Sequence, residues 1–222
     1  MEALLAEAFT HNAWATKRLL SFCRDLTPEQ LNAPGSGTYG SILATFHHLV
    51  RSDAGYLSRL KIARPAWTDE DDDAVVADLD VLEARVDEAA RLWQEYLADP
   101  LDAEHLLLLD EGTYECRSSV PIVQALHHGN SHREQICAII TGLGLQPPDV
   151  QAWAFADQTG RARFLPAGRQ SSRKGVLAPF RARANAPFDA GADAPLIPPA
   201  HTLEFARRRG YVHLVAECSK RR

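Results

Sequence analysis

The chain is poor in the features of secreted, disulfide-stapled or membrane-spanning proteins. Its 222 residues include only four cysteines, Cys23, Cys116, Cys137 and Cys218, widely scattered and without a CxxC pair. That spacing argues against both a disulfide framework and a zinc ribbon, which need closely paired thiols. No stretch approaches the roughly 20 apolar residues of a membrane span. The opening "MEALLAEAFTHNAW" carries acids and a helical pattern where a secretory signal needs a basic start and an unbroken apolar run. A cytoplasmic protein without membrane association is expected.

Positive charge is scarce early and negative charge scarce late. Residues 1–160 hold 11 Lys and Arg against 25 Asp and Glu, whereas residues 161–222 hold 13 against 4. The shift predicts a folded domain over 1–160 followed by a basic, Pro/Ala/Arg-rich extension over 161–222. From 165 to 200 the chain has no sustained apolar period, and such a segment buries too little apolar surface to offset its ordering entropy. A largely disordered, irregular tail is expected there, with a short helix or strand near the end. Arg207-Arg208-Arg209 and Lys220-Arg221-Arg222 could attract nucleic acid, but the acidic domain and the lack of interleaved aromatics oppose that partner.

Within the first 160 residues the dominant signal is helical. Residues 2–24 place Leu5, Ala8, Ala15, Leu19 and Phe22 on one face of a 3.6-residue period. Thr27-Pro28-Glu29-Gln30 reads as a capping box on a short turn, and "NAPGSGTYG" as a loop. A helix over 39–61 carries the stripe Ile42, Phe46, Leu49, Asp53, Tyr56 and Leu60. The acidic run Asp69 to Asp73 reads as a solvated helix entry, ahead of a helix over 78–98 with Leu79, Leu82, Val86, Ala89, Trp93 and Leu97 inward. Trp14 and Trp93 are expected as core anchors. Between Leu106 and Val120 the β-rich "LLLLDEGTYECRSSV" predicts a hairpin around Asp-Glu-Gly. Pro121 opens a fourth helix to Gly142, and a short fifth is expected at 148–156. The fold class implied is all-α: an antiparallel four-helix bundle with a short β-hairpin before the fourth core helix.

The stretch "LHHGNSHR" packs three of the nine histidines into six residues. On the fourth helix Ala125, His128, His132, Ile136, Ile139 and Leu143 share one stripe, so His128 and His132 point inward and His127 toward solvent or the flank. A pair at i and i+4 can hold one metal ion. Zinc needs at least a third protein ligand, and the second long helix offers His47 and His48, between which periodicity does not choose. Buried imidazoles without partners would cost roughly 1–3 kcal/mol each, which a shared ion would relieve.

Several stretches together resemble the DinB-like family of four-helix-bundle proteins. "HNAWATKRLL" matches its first-helix pattern. "SILATFHHLVRSDAGYL" is similar to its second helix, in the register that selects His48, with Asp53 and Tyr56 at the following acid and aromatic positions. "HGNSHREQI" resembles the family's histidine-x-x-x-histidine-arginine-glycine-glutamine motif, with Glu134 in place of the glycine. The resemblance implies a divalent ion, zinc or nickel, held by His48, His128 and His132 with an open position for water or a thiolate. It also implies a damage-inducible homodimer, working as a metal-dependent thiol transferase or hydrolase on a small-molecule substrate with a low-molecular-weight thiol. The alternative is a non-catalytic metal- or ligand-binding stress-response protein. Asp53 is the acid best placed to support a ligand, and Arg133 is expected to pair with an acid on a neighbouring helix, the alternative being contact with an anionic substrate.

Overall fold

The computed structural model describes residues 2–60, 62, 65–69, 75 and 78–163. The expected basic extension from residue 164 onward, and the acidic run beyond Asp69, lie outside the described residues. What is described is mostly helical, with one small antiparallel sheet. No helix among the described residues is long and apolar enough to cross a membrane.

Helix α1 spans Glu2–Cys23. Its buried face is Phe9, Asn12, Ala15, Thr16, Leu19, Leu20 and Cys23, rotated from the expected stripe, of which Leu5, Ala8 and Phe22 are only half-buried. Two polar residues on the inward face, Asn12 and Thr16, conceal the true phase from a hydrophobicity pattern. The capping box holds: in α2, Pro28–Leu31, Thr27 Oγ1 accepts from the Gln30 amide while Gln30 Oε1 accepts from the Thr27 amide at 2.9 Å.

Ser41 caps α3, Ile42–Arg59, accepting from the Ala44 amide at 3.2 Å. Tyr39 and Gly40, expected as helix, lie ahead of that cap. Asp78 caps α4, Leu79–Ala98, through the amides of Asp80 and Val81. The hairpin pairs β1, Leu106–Leu109, with β2, Tyr114–Arg117, in the register Leu106 to Arg117. Its turn places Asp110, Glu111 and Gly112 at positive φ, a cost for the two acids that glycine does not bear. Helix α5, Ser119–Gly142, begins two residues before Pro121. Proline is tolerated in that first turn because the amide it lacks has no intrahelical partner there. Helix α6 forms at Ala152–Gln158 rather than 148–156, since Gln151 holds extended backbone at its N-cap, with φ −71° and ψ 159°, and donates its amide to Asp149 Oδ1 at 2.9 Å.

Helix α1 packs on α4 and α5, α3 packs on the same two, and α6 lies against α1. The core falls into two apolar clusters. One is built on Leu19, Phe46, Val86, Ile136 and Ile140 and the other on Phe9, Leu57, Trp93, Leu97 and Ile122. Trp93 is fully buried and stacks on Phe9 at 4.1 Å between ring centroids. Trp14 is half-buried between α1 and α6, against Phe155. Along α1, α3 and α5 the residues between the two clusters are polar or small: Asn12 and Thr16, Asp53, and His128 to Arg133. His128 and His132 therefore sit on the stretch of α5 where the apolar core changes over, whereas His48 lies on α3 beside Phe46 and Leu49 of the first cluster.

A candidate metal centre between α3 and α5

Helix α3 supplies His48 and α5 supplies His128 and His132. Their ring nitrogens converge: His128 Nε2 lies 3.1 Å from His48 Nε2 and 3.1 Å from His132 Nε2. A ligand atom from each of the three residues lies within 4.8 Å of the others. Metal–nitrogen bonds of about 2.05 Å at a tetrahedral angle put ligand nitrogens about 3.3 Å apart, so the spacing suits a shared ion. The doublet in α3 is thereby resolved, with His48 meeting the α5 pair while the neighbouring His47 is buried. His127 is exposed, as helical phase requires.

The three imidazoles are held neutral, the form that binds metal. Burial, with smaller contributions from His132 and His47, lowers the pKa of His48 to about 4. Burial and the other histidines lower that of His128 to about 3, and burial lowers that of His132. The tautomer of His132 follows from its neighbour. Gln135 Oε1 accepts the Tyr39 backbone amide at 3.0 Å, which identifies that atom as the carbonyl oxygen, and it lies 3.0 Å from His132 Nδ1. Nδ1 must therefore donate, leaving the Nε2 lone pair free for an ion. Tyr39 lies flat on His48, ring centroids 3.9 Å apart, and Tyr56 meets His128 edge-on at 5.7 Å.

The DinB family model matches residues 1–168 of the sequence. The chain belongs to the DinB family. Among solved structures it is similar to a DinB-like protein from Bacillus cereus ATCC 10987, with a TM-score of 0.54 and 19% identity over 66% of this chain and 95% of that one. No curated protein matches it.

In this DinB chain the residue after the second α5 histidine faces the opposite way. Arg133 is 3% exposed, and its Nη1 donates to Asn12 Oδ1 at 2.7 Å and Thr16 Oγ1 at 3.2 Å. These are neutral acceptors on α1 rather than the acid expected from sequence. Asp53 is the first electrostatic influence holding the Arg133 charge, against burial that lowers its pKa to about 10. The Asp53 carboxylate itself accepts from Trp93 Nε1 at 3.0 Å, and burial raises its pKa to about 6. Asp53 thus braces Trp93 and faces Arg133, whereas the hydrogen-bond acceptor beside the histidines is Gln135.

Gly129 completes the arrangement, because a Cβ there would fall 2.6 Å from Asn12 Oδ1 and 3.1 Å from Arg133 Nη1. Thr16, Gly129 and Tyr39 were not singled out from the sequence, and Asn12 entered only as part of the first-helix pattern, without a role. The available signals were polar residues at i and i+4 between apolar ones on α1, and a helical glycine, which marks a close approach. Nothing in a loop's sequence flagged Tyr39.

Proposed function

We propose that this DinB-family chain holds one divalent ion, zinc or nickel, on His48, His128 and His132, and activates a low-molecular-weight thiol or water against a small electrophile. The observation that carries the reading is the convergence of three histidine side chains, with His128 Nε2 3.1 Å from both His48 Nε2 and His132 Nε2, on rings held neutral by burial. A bound ion would supply Lewis-acid lowering of the pKa of a thiol or water. The chain's own residues do the rest: three imidazoles present lone pairs, Gln135 keeps the His132 proton on Nδ1, and the flanking apolar clusters limit the surrounding water. The contacts among α1, α3, α4 and α5 support an antiparallel four-helix bundle as the frame. We extend the reading to a damage-inducible cytoplasmic homodimer that does not bind nucleic acid.

One observation favours a second reading, a non-catalytic metal- or ligand-binding stress-response protein. The acid nearest in sequence to His48, Asp53, is committed to Trp93 rather than to proton transfer at the trio. X-ray absorption of the metal-loaded protein, with turnover measured across thiol cosubstrates and electrophiles, separates the two. Three nitrogen ligands plus an exchangeable position, with turnover, is the expected result. A sphere closed by protein side chains and no turnover would establish the binding protein instead.

A further inference from the structure

Gln135 Oε1 is the meeting point of two hydrogen bonds, one from the Tyr39 backbone amide and one from His132 Nδ1. We propose that Gln135 and Tyr39 are positioning residues of the histidine site, through which the loop of residues 34–41 and the metal ligands become ordered together. The inference rests on the metal reading given above.

The loop is built to deliver Tyr39. Pro34 and Ser41 form an antiparallel bridge at its neck. The Thr38 hydroxyl lies within hydrogen-bonding distance of the Gly35 carbonyl at 2.9 Å and the Gly40 carbonyl at 3.0 Å. Gly37 turns the chain at φ +72°, and Gly35 approaches α5 so closely that a Cβ would fall 2.6 Å from Ile139 Cγ1. Held this way, Tyr39 reaches two of the three histidines. Its ring lies parallel to His48 within 16° at 3.9 Å, and its edge meets His132 at 5.7 Å. Yet Tyr39 is 53% exposed, so burial in the core does not account for its place.

A ligand imidazole must keep both its ring plane and its tautomer for the lone pair to point at the ion. Tyr39 restrains the plane of His48, and Gln135 sets the tautomer of His132. The two effects meet at one loop residue, because the amide that orients Gln135 on α5 belongs to Tyr39. By reciprocity, whatever the closed loop adds to metal affinity, a bound ion adds to loop closure.

The test uses the full-length protein, Zn2+ titrations against a competing chelator, and hydrogen exchange at the Tyr39 amide with and without Zn2+. Gln135→Ala is expected to weaken zinc binding by about 10–100-fold, while Gln135→Glu, which keeps an acceptor, stays near wild type. Tyr39→Ala is expected to weaken it by about two- to tenfold, and Tyr39→Phe, which keeps the ring, to leave it unchanged. Zinc should slow exchange of the Tyr39 amide in wild type but not in Gln135→Ala. Circular dichroism confirms that each variant is folded. Should wild type bind zinc while Gln135→Ala binds equally well and zinc leaves Tyr39 exchange untouched, the inference is overturned and the metal site stands. Should wild type bind no zinc, the metal reading falls and the coupling with it.

Discussion

At the scale of single residues, the site depends on imidazoles that stay uncharged. Burial lowers the pKa of His48 to about 4 and of His128 to about 3, below the 6.5 of an exposed imidazole. Above pH 6.5 these rings are neutral in both folded and unfolded chains. As pH falls below it, the unfolded chain takes up protons that the folded one refuses, so their contribution to stability is lost progressively down to the folded values. Asp53 opposes this. Its folded pKa of about 6 lies above the ordinary carboxyl value, so its contribution is full at low pH and is lost as pH rises through 6. Comparing metal-free wild type with His128→Ala in urea isolates one ring from the rest. The stability of wild type relative to the variant is expected to decline between pH 7 and pH 5; a constant or growing difference would mean that His128 is not held neutral by the fold.

At the scale of helices, the close approach of α1 to α5 explains residues that look misplaced singly. Asn12 and Thr16 face inward because Arg133 needs acceptors, and Gly129 lacks a side chain because Asn12 Oδ1 occupies that space. Gly129→Ala gains about 1 kcal/mol of helix propensity. Against that gain, the methyl must displace Asn12 from Arg133, and overpacking of this kind costs about 1–3 kcal/mol before the weakened charged hydrogen bond is counted. The strain is expected to prevail, giving a net loss of about 1–2 kcal/mol in denaturant unfolding; a stabilised variant would refute the close packing. These same helices mark what was legible in the sequence. The stripes of α4 and α5 were readable because their inward residues are mostly apolar, and the caps because Thr27 and Gln30 carry their own signature. The phase of α1 was not, because its inward polar residues are explained only by a cation on another helix. Nor did His47 and His48, about 100° apart on one helix, reveal which would meet α5, since helix-against-helix register decides that.

At the scale of the whole molecule, α5 carries polar and small residues between two apolar clusters, and the proposed metal centre draws two of its three histidines from that stretch. The clustering of His48, His128 and His132 was legible once the motifs of α3 and α5 were read together. Tyr39 was not legible, because a loop carries no periodicity and its contacts depend on where α5 lies. The central claim is that these three rings hold one ion, and metal content per chain tests it most directly. Wild type, His48→Ala, His128→Ala and His132→Ala would be loaded with zinc, dialysed together and measured by plasma mass spectrometry, with circular dichroism confirming the fold. The account predicts one ion per wild-type chain and less than about a tenth of that in each variant; stoichiometric zinc retained by His132→Ala, or none in folded wild type, would contradict it.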